Sequence, residues 1–137
     1  MYELYPFPIL TQSIERTFID KIFALCDYHL ASNYHRYSRH LYDIHKIWDI
    51  SMLDMDTIMT IMPKVIQDRQ QFEKRNQSCR LGAKPKQILI DIIKNDVYKN
   101  DYQSITSKLI YKDVQYRQCI ESLKEIINAN FIPEIIK

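Results

Sequence analysis

Residues 14–30 read IERTFIDKIFALCDYHL, and the spacing of their apolar positions sets the fold class. Ile14, Phe18, Ile22, Leu25 and His29 recur at the intervals of one helical face. Ser13 stands in front as a natural N-cap, so the pattern predicts a helix from about Ile14 to Ala31. One residue breaks the pattern. On a helical wheel Lys21 falls beside Ile14, Phe18 and Leu25, not on the polar arc of Glu15, Arg16, Asp20 and Asp27. Two readings stay open at this point. The lysine stem packs while its ammonium reaches water, the common fate of a lysine at such a place. Alternatively, it is a cation held at a cleft to meet an anion such as a phosphate.

Working outward, ASNY (31–34) is a turn, and a second helix is expected over His35 to Asp49, within RYSRHLYDIHKIW (36–48). Tyr37, Leu41, Ile44 and Trp48 form its core stripe, while Arg36, Arg39, His40 and Asp43 share another face. Asp43 follows Arg39 by one helical turn and is either a surface ion pair in the weaker orientation or a carboxylate that orients a ligand, a metal-bound group or Lys21. Ser51 to Asp54 resembles a weak capping box ahead of a third helical region, Met55 to Arg75, which Pro63 must kink or split. Residues 76–86, NQSCRLGAKPK, carry the only glycine and read as a mobile loop. Residues 87–110 read as helical with a break near KNDVYKND, and a last helix is expected from Asp113 as N-cap to Asn128. At the other end, residues 1–12 read as an extended arm: Leu4, Phe7 and Ile9 are apolar, and Pro6 and Pro8 bar it from the middle of a sheet. The expectation is an all-α bundle of about five or six helices over 13–137, preceded by that arm.

Composition agrees. A single glycine leaves little room for hairpin turns, which argues against an all-β fold. An apolar share of 46% over 137 residues supplies a core for one domain without staples. A net charge of +2 is low for a general nucleic-acid binder, and the apolar runs are too short to span a membrane. Cys26, Cys79 and Cys119 are scattered and odd in number, which fits reduced thiols in a cytoplasm.

Short motifs for chemistry are mostly missing. The sequence has no glycine-rich phosphate loop, no nucleophile elbow and no zinc-protease helix. His35, His40 and His45 are five apart, and each step turns the helix by about 140°, so they do not converge and no metal site is expected.

Taken together, ERTFIDK (15–21) and RYSRHLYD (36–43) resemble the AbiEii-type nucleotidyltransferases, the toxins of a class of bacterial toxin–antitoxin and phage abortive-infection systems. The matching positions are Arg16, Thr17, Phe18, Asp20 and Lys21, then Arg36 to His40, Tyr42 and Asp43. RQQFEKR (69–75), NDYQSI (100–105) and SLKEIIN (122–128) extend the likeness more loosely. The resemblance implies that Lys21 contacts nucleotide phosphates and that Asp43 lies in the same cleft as an active-site residue. Arg39 and His40 would orient Asp43 or meet phosphate. It implies transfer of a nucleoside monophosphate from an NTP, with magnesium, to an RNA or other acceptor.

The family's metal-binding half, with a Gly-Ser and paired aspartates, has no counterpart in residues 1–20. The arm would then be the last strand of that half. The chain would be the C-terminal helical part of the enzyme, inactive alone and working with that missing domain or a partner chain, and an antitoxin would be a further partner. The rival expectation is a non-catalytic helical module that dimerises through its arm or binds a partner protein.

Overall fold

A computed structural model describes residues 13–72, 74–109 and 113–137. Helices account for the ordered structure among these residues, which are all-α as expected. The arm at residues 1–12 lies outside the described residues.

Helix α1, Ile14–Leu30, is the centre of the bundle. Ser13 caps it, its hydroxyl accepting from the Arg16 N–H at 3.1 Å. Phe18, Ile19, Ile22, Phe23, Leu25 and Cys26 are all buried, a wider arc than a surface helix needs. The width follows from the surroundings, because α1 packs against α2 (Arg39–Ile50), α3 (Met55–Gln70) and α4 (Pro85–Asn95). Two further helices complete the bundle. In α5, the short helix Lys99–Asp101 runs through a π-helical stretch, Tyr102–Thr106, into Ser107–Leu109. The last, α6, is Tyr116–Asn128 and lies along α2.

Three boundaries differ from the sequence expectation. The second helix starts at Arg39, not His35. Residues 35–38 form a turn instead, with Arg36 in the left-handed region at φ 70°. The third does not break at Pro63: α3 runs continuously through it, with the ring at the exposed surface, and ends at Gln70. Its cap is Asp54, which accepts from the Asp56 and Thr57 N–H groups, and not a Ser51 box. The last helix is capped by Gln115, not Asp113, in a box with Gln118.

The 76–86 stretch is more anchored than a surface loop. It holds a 3-10 turn, Gln77–Cys79, with Ser78 and Cys79 buried. Gly82 sits at φ 83° and donates its N–H to the Ile136 carbonyl at 2.8 Å, and the Ile136 N–H returns a bond to Ala83 at 2.8 Å. The C-terminal tail is thus part of the core, with Phe131, Ile132 and Ile136 buried and Phe131 meeting Phe18 and Trp48. Tyrosines fill much of the remaining interior because each brings bulk and a hydroxyl that finds a carbonyl. Tyr98 donates to the Leu25 carbonyl and Tyr102 to that of Val114.

Candidate functional site

The α1–α2 seam brings the two opening motifs together. Lys21 on α1 and Asp43 on α2 are 22 positions apart, and the lysine Nζ donates to Asp43 Oδ2 at 3.2 Å. Their side chains keep 29% and 27% of their exposure, so the pair sits at a part-exposed seam and not in the core. Arg39, more exposed, places its Nε 3.9 Å from the other carboxylate oxygen of Asp43. One carboxylate therefore faces two cations, an arrangement that holds both cations near a common point where an incoming anion can exchange for the carboxylate.

His40 completes the group. Its Nδ1 is buried and has no hydrogen-bond partner among the described residues. Burial pushes its pKa below the ordinary imidazole value, the Lys21 ammonium adds to the depression, and Asp43 opposes it. Its ring lies against Tyr28 and Tyr37, with centroids 5.3 Å and 6.2 Å away. The sequence expectation paired His40 with Asp43 or a phosphate; the structure gives its ring two aromatic neighbours.

The turn that leads into α2 is held from the distant α5. Asp101 accepts from the Arg36 N–H at 2.7 Å, the Ser38 N–H at 3.2 Å and the Ser38 hydroxyl at 2.5 Å. The Ser38 hydroxyl also meets that of Thr106 at 2.7 Å. Burial raises the Asp101 pKa, but the Ser38 hydroxyl and the two N–H donors outweigh it, and the carboxyl lies below its usual range. The π-helical stretch follows Asp101 directly, and π turns commonly occur where a helix must aim side chains for function. On another face of α1, Arg69 of α3 bonds Asp27 at 2.6 Å and Asp20 at 3.2 Å. Sequence periodicity flagged neither Asp101 nor Arg69, although both lie in the two looser downstream motifs, NDYQSI and RQQFEKR.

His29 and His45 share the depressed pKa of His40, in each case chiefly through burial. The native state therefore binds fewer protons than the unfolded chain near the ordinary imidazole value of about 6.5. The stability these residues contribute is present above that value and is lost as pH falls through the lower folded values. A thermal melt at pH 5 is expected to show a lower midpoint than one at pH 7.5, and a flat profile between the two would contradict the burial of His45 and the partial burial of His29 and His40.

Among the described residues no group of three His, Cys, Asp or Glu side chains is placed to hold a metal, and no helix is long and apolar enough to cross a membrane. An apolar groove of about 430 Å³ between α3 and the C-terminal tail includes neither Lys21 nor Asp43 in its lining. Neither the curated proteins nor the solved structures supply a match to this chain. The family model of the nucleotidyl transferase AbiEii toxin of type IV toxin–antitoxin systems matches residues 1–128, nearly the whole length. With the Lys21–Asp43 pair lying in the two motifs that resemble that family, the chain belongs to the AbiEii nucleotidyltransferase toxins.

Proposed function

We propose that this helical domain supplies one wall of the active-site cleft for transfer of a nucleoside monophosphate from an NTP. In this reading Lys21 contacts the phosphates, Asp43 holds and releases that lysine as the phosphates enter, and Arg39 adds a second cation at the rim. His40 keeps an uncharged ring behind them. The observation that carries the reading is the 3.2 Å Lys21–Asp43 contact at a part-exposed seam. Cations fixed in advance near a reacting phosphate stabilise developing charge without reorganisation.

Magnesium does not fit this domain by itself. Asp43 is a single carboxylate already facing two cations, and no cluster of donors accompanies it among the described residues. The metal ligands would come from the family's other half, in the same protein or a partner chain. The acceptor would be an RNA or a protein side chain, the working compartment the cytoplasm, and the family implies an antitoxin counterpart.

The test is Lys21→Ala and Asp43→Ala in a protein that carries both halves. Each is expected to lower nucleotide transfer by about 100-fold or more. Folding stability should change by no more than about 1 kcal/mol, because a part-exposed ion pair contributes little. The rival reading, a structural ion pair in an interaction module, predicts the reverse: a substantial loss of stability in each variant, with the double variant no worse than either single one.

A further inference from the structure

Tyr28 and Tyr37 lie face to face, with ring centroids 3.8 Å apart and planes 10° from parallel. Aromatic pairs in protein interiors usually sit offset or edge-on, with centroids further apart. The interior tyrosines here follow the usual pattern: Tyr98 meets Tyr34 edge-on at 5.2 Å and Tyr102 meets Tyr116 tilted at 6.0 Å, and both Tyr98 and Tyr102 are fully buried with a carbonyl partner for the hydroxyl. Tyr28 and Tyr37 differ, since both keep part of their surface in solvent.

Their position relative to Lys21 matters. Tyr28 follows Lys21 by seven residues on α1, two turns along the same face and about 10 Å further along the axis. That span is comparable with the distance from the terminal phosphate to the base in an extended nucleoside triphosphate. Tyr37 comes from the turn that Asp101 holds, with Arg36 and Arg39 exposed close to it in sequence. His40 borders the pair with a ring whose pKa is depressed, so the platform carries no charge of its own at neutral pH.

We propose that the Tyr28–Tyr37 pair is the stacking platform for the nucleobase of the nucleotide whose phosphates meet Lys21, an assignment that rests on the phosphate contact proposed above. Every base has a π-face, so such a platform adds affinity with little choice among bases. Selectivity for one nucleotide would have to come from elsewhere.

The experiment is calorimetric titration of the purified chain with each of the four common NTPs and with inorganic tripolyphosphate, which has phosphates and no base. At least one NTP is expected to bind about tenfold or more tightly than tripolyphosphate. Tyr37→Leu should erase that difference without changing the tripolyphosphate affinity, and Tyr37→Phe, which keeps the ring, should retain it. If Tyr37→Leu fails to fold, Tyr28→Leu removes the other ring of the pair. Lys21→Ala should weaken both ligands. NTPs that bind no better than tripolyphosphate, or a difference that survives loss of the ring, overturn the platform and leave the phosphate contact standing. Tripolyphosphate that fails to bind, or binds regardless of Lys21, overturns the phosphate contact and the platform with it.

Discussion

Replacing Arg69 by methionine is expected to destabilise the fold by about 3–5 kcal/mol, the range for removing one partner of a buried ion pair. Arg69 is only 14% exposed and Asp27 only 8%, so neither charge is well solvated. The guanidinium donates to Asp27 at 2.6 Å, to Asp20 at 3.2 Å and to the Asn76 side chain at 3.2 Å. Its Cζ lies 5.8 Å from the Phe23 ring centroid. Asp27 in turn accepts the Ser78 N–H at 2.8 Å, which ties the 3-10 turn to α1. Methionine preserves the packed stem of the side chain, so the loss reports the charge and not a cavity. It leaves Asp27 with one N–H donor in a poorly solvated site. A midpoint drop of about 10–17 °C is expected for a chain of this size. Adding Asp27→Asn should recover part of it, because the stranded charge is then gone. A single-variant loss below about 1 kcal/mol would mean that solvent reaches the network and the buried-pair account is wrong.

Much of this arrangement could be read in the sequence, and the unread part has a common cause. Helix α1 was legible because Ser13 caps it and its apolar positions hold one phase from Phe18 to Leu25. A helical wheel also showed that Lys21 leaves the polar arc, and the structure puts it at a seam facing Asp43. What a wheel cannot give is the element across from a face. Glu15, Asp20 and Asp27 read as a solvated arc, yet Glu15 accepts the Asp54 N–H at the start of α3, and both aspartates meet Arg69. These partners are tens of residues away in the chain, and no local period encodes them. The start of the second helix failed for the same reason. The sequence 35–38 can continue a helix, but Asp101 takes the N–H groups of Arg36 and Ser38 and turns the backbone aside. Of the two outcomes expected at Pro63, the split does not occur: a proline ring at the exposed surface removes one backbone donor without ending the run. The face-to-face tyrosines were out of reach because Tyr37 lies in the turn that was expected to be helical, where its ring would point elsewhere.

Asp101→Ala is the second large effect, with an expected cost of about 2–4 kcal/mol and a further consequence for the α1–α2 seam. Three donors converge on this carboxylate, two of them from Ser38, whose side chain and backbone are fully buried. Without it the Ser38 hydroxyl retains Thr106, but the Ser38 N–H loses its acceptor, and a buried donor left unmade costs more than the bond contributed. Arg36, at φ 70°, loses the bond that offsets its left-handed backbone. Asp101→Asn keeps an acceptor oxygen and should lose less. The low pKa of Asp101 fixes the pH dependence. Its contribution is fully present above the ordinary aspartate value of about 3.9 and is lost as pH falls through the lower folded value. The gap between wild type and Asp101→Ala should therefore persist from pH 7 down to about 4 and shrink only below it. The turn that Asp101 holds carries Tyr37 and leads directly into Arg39 and His40. Releasing it should therefore raise amide exchange at Ser38 and weaken the nucleotide binding proposed above, although Asp101 itself contacts neither Lys21 nor Asp43. Unchanged Ser38 protection in a folded Asp101→Ala chain would show that the turn is held by packing alone, and the link from α5 to the α1–α2 seam would fail.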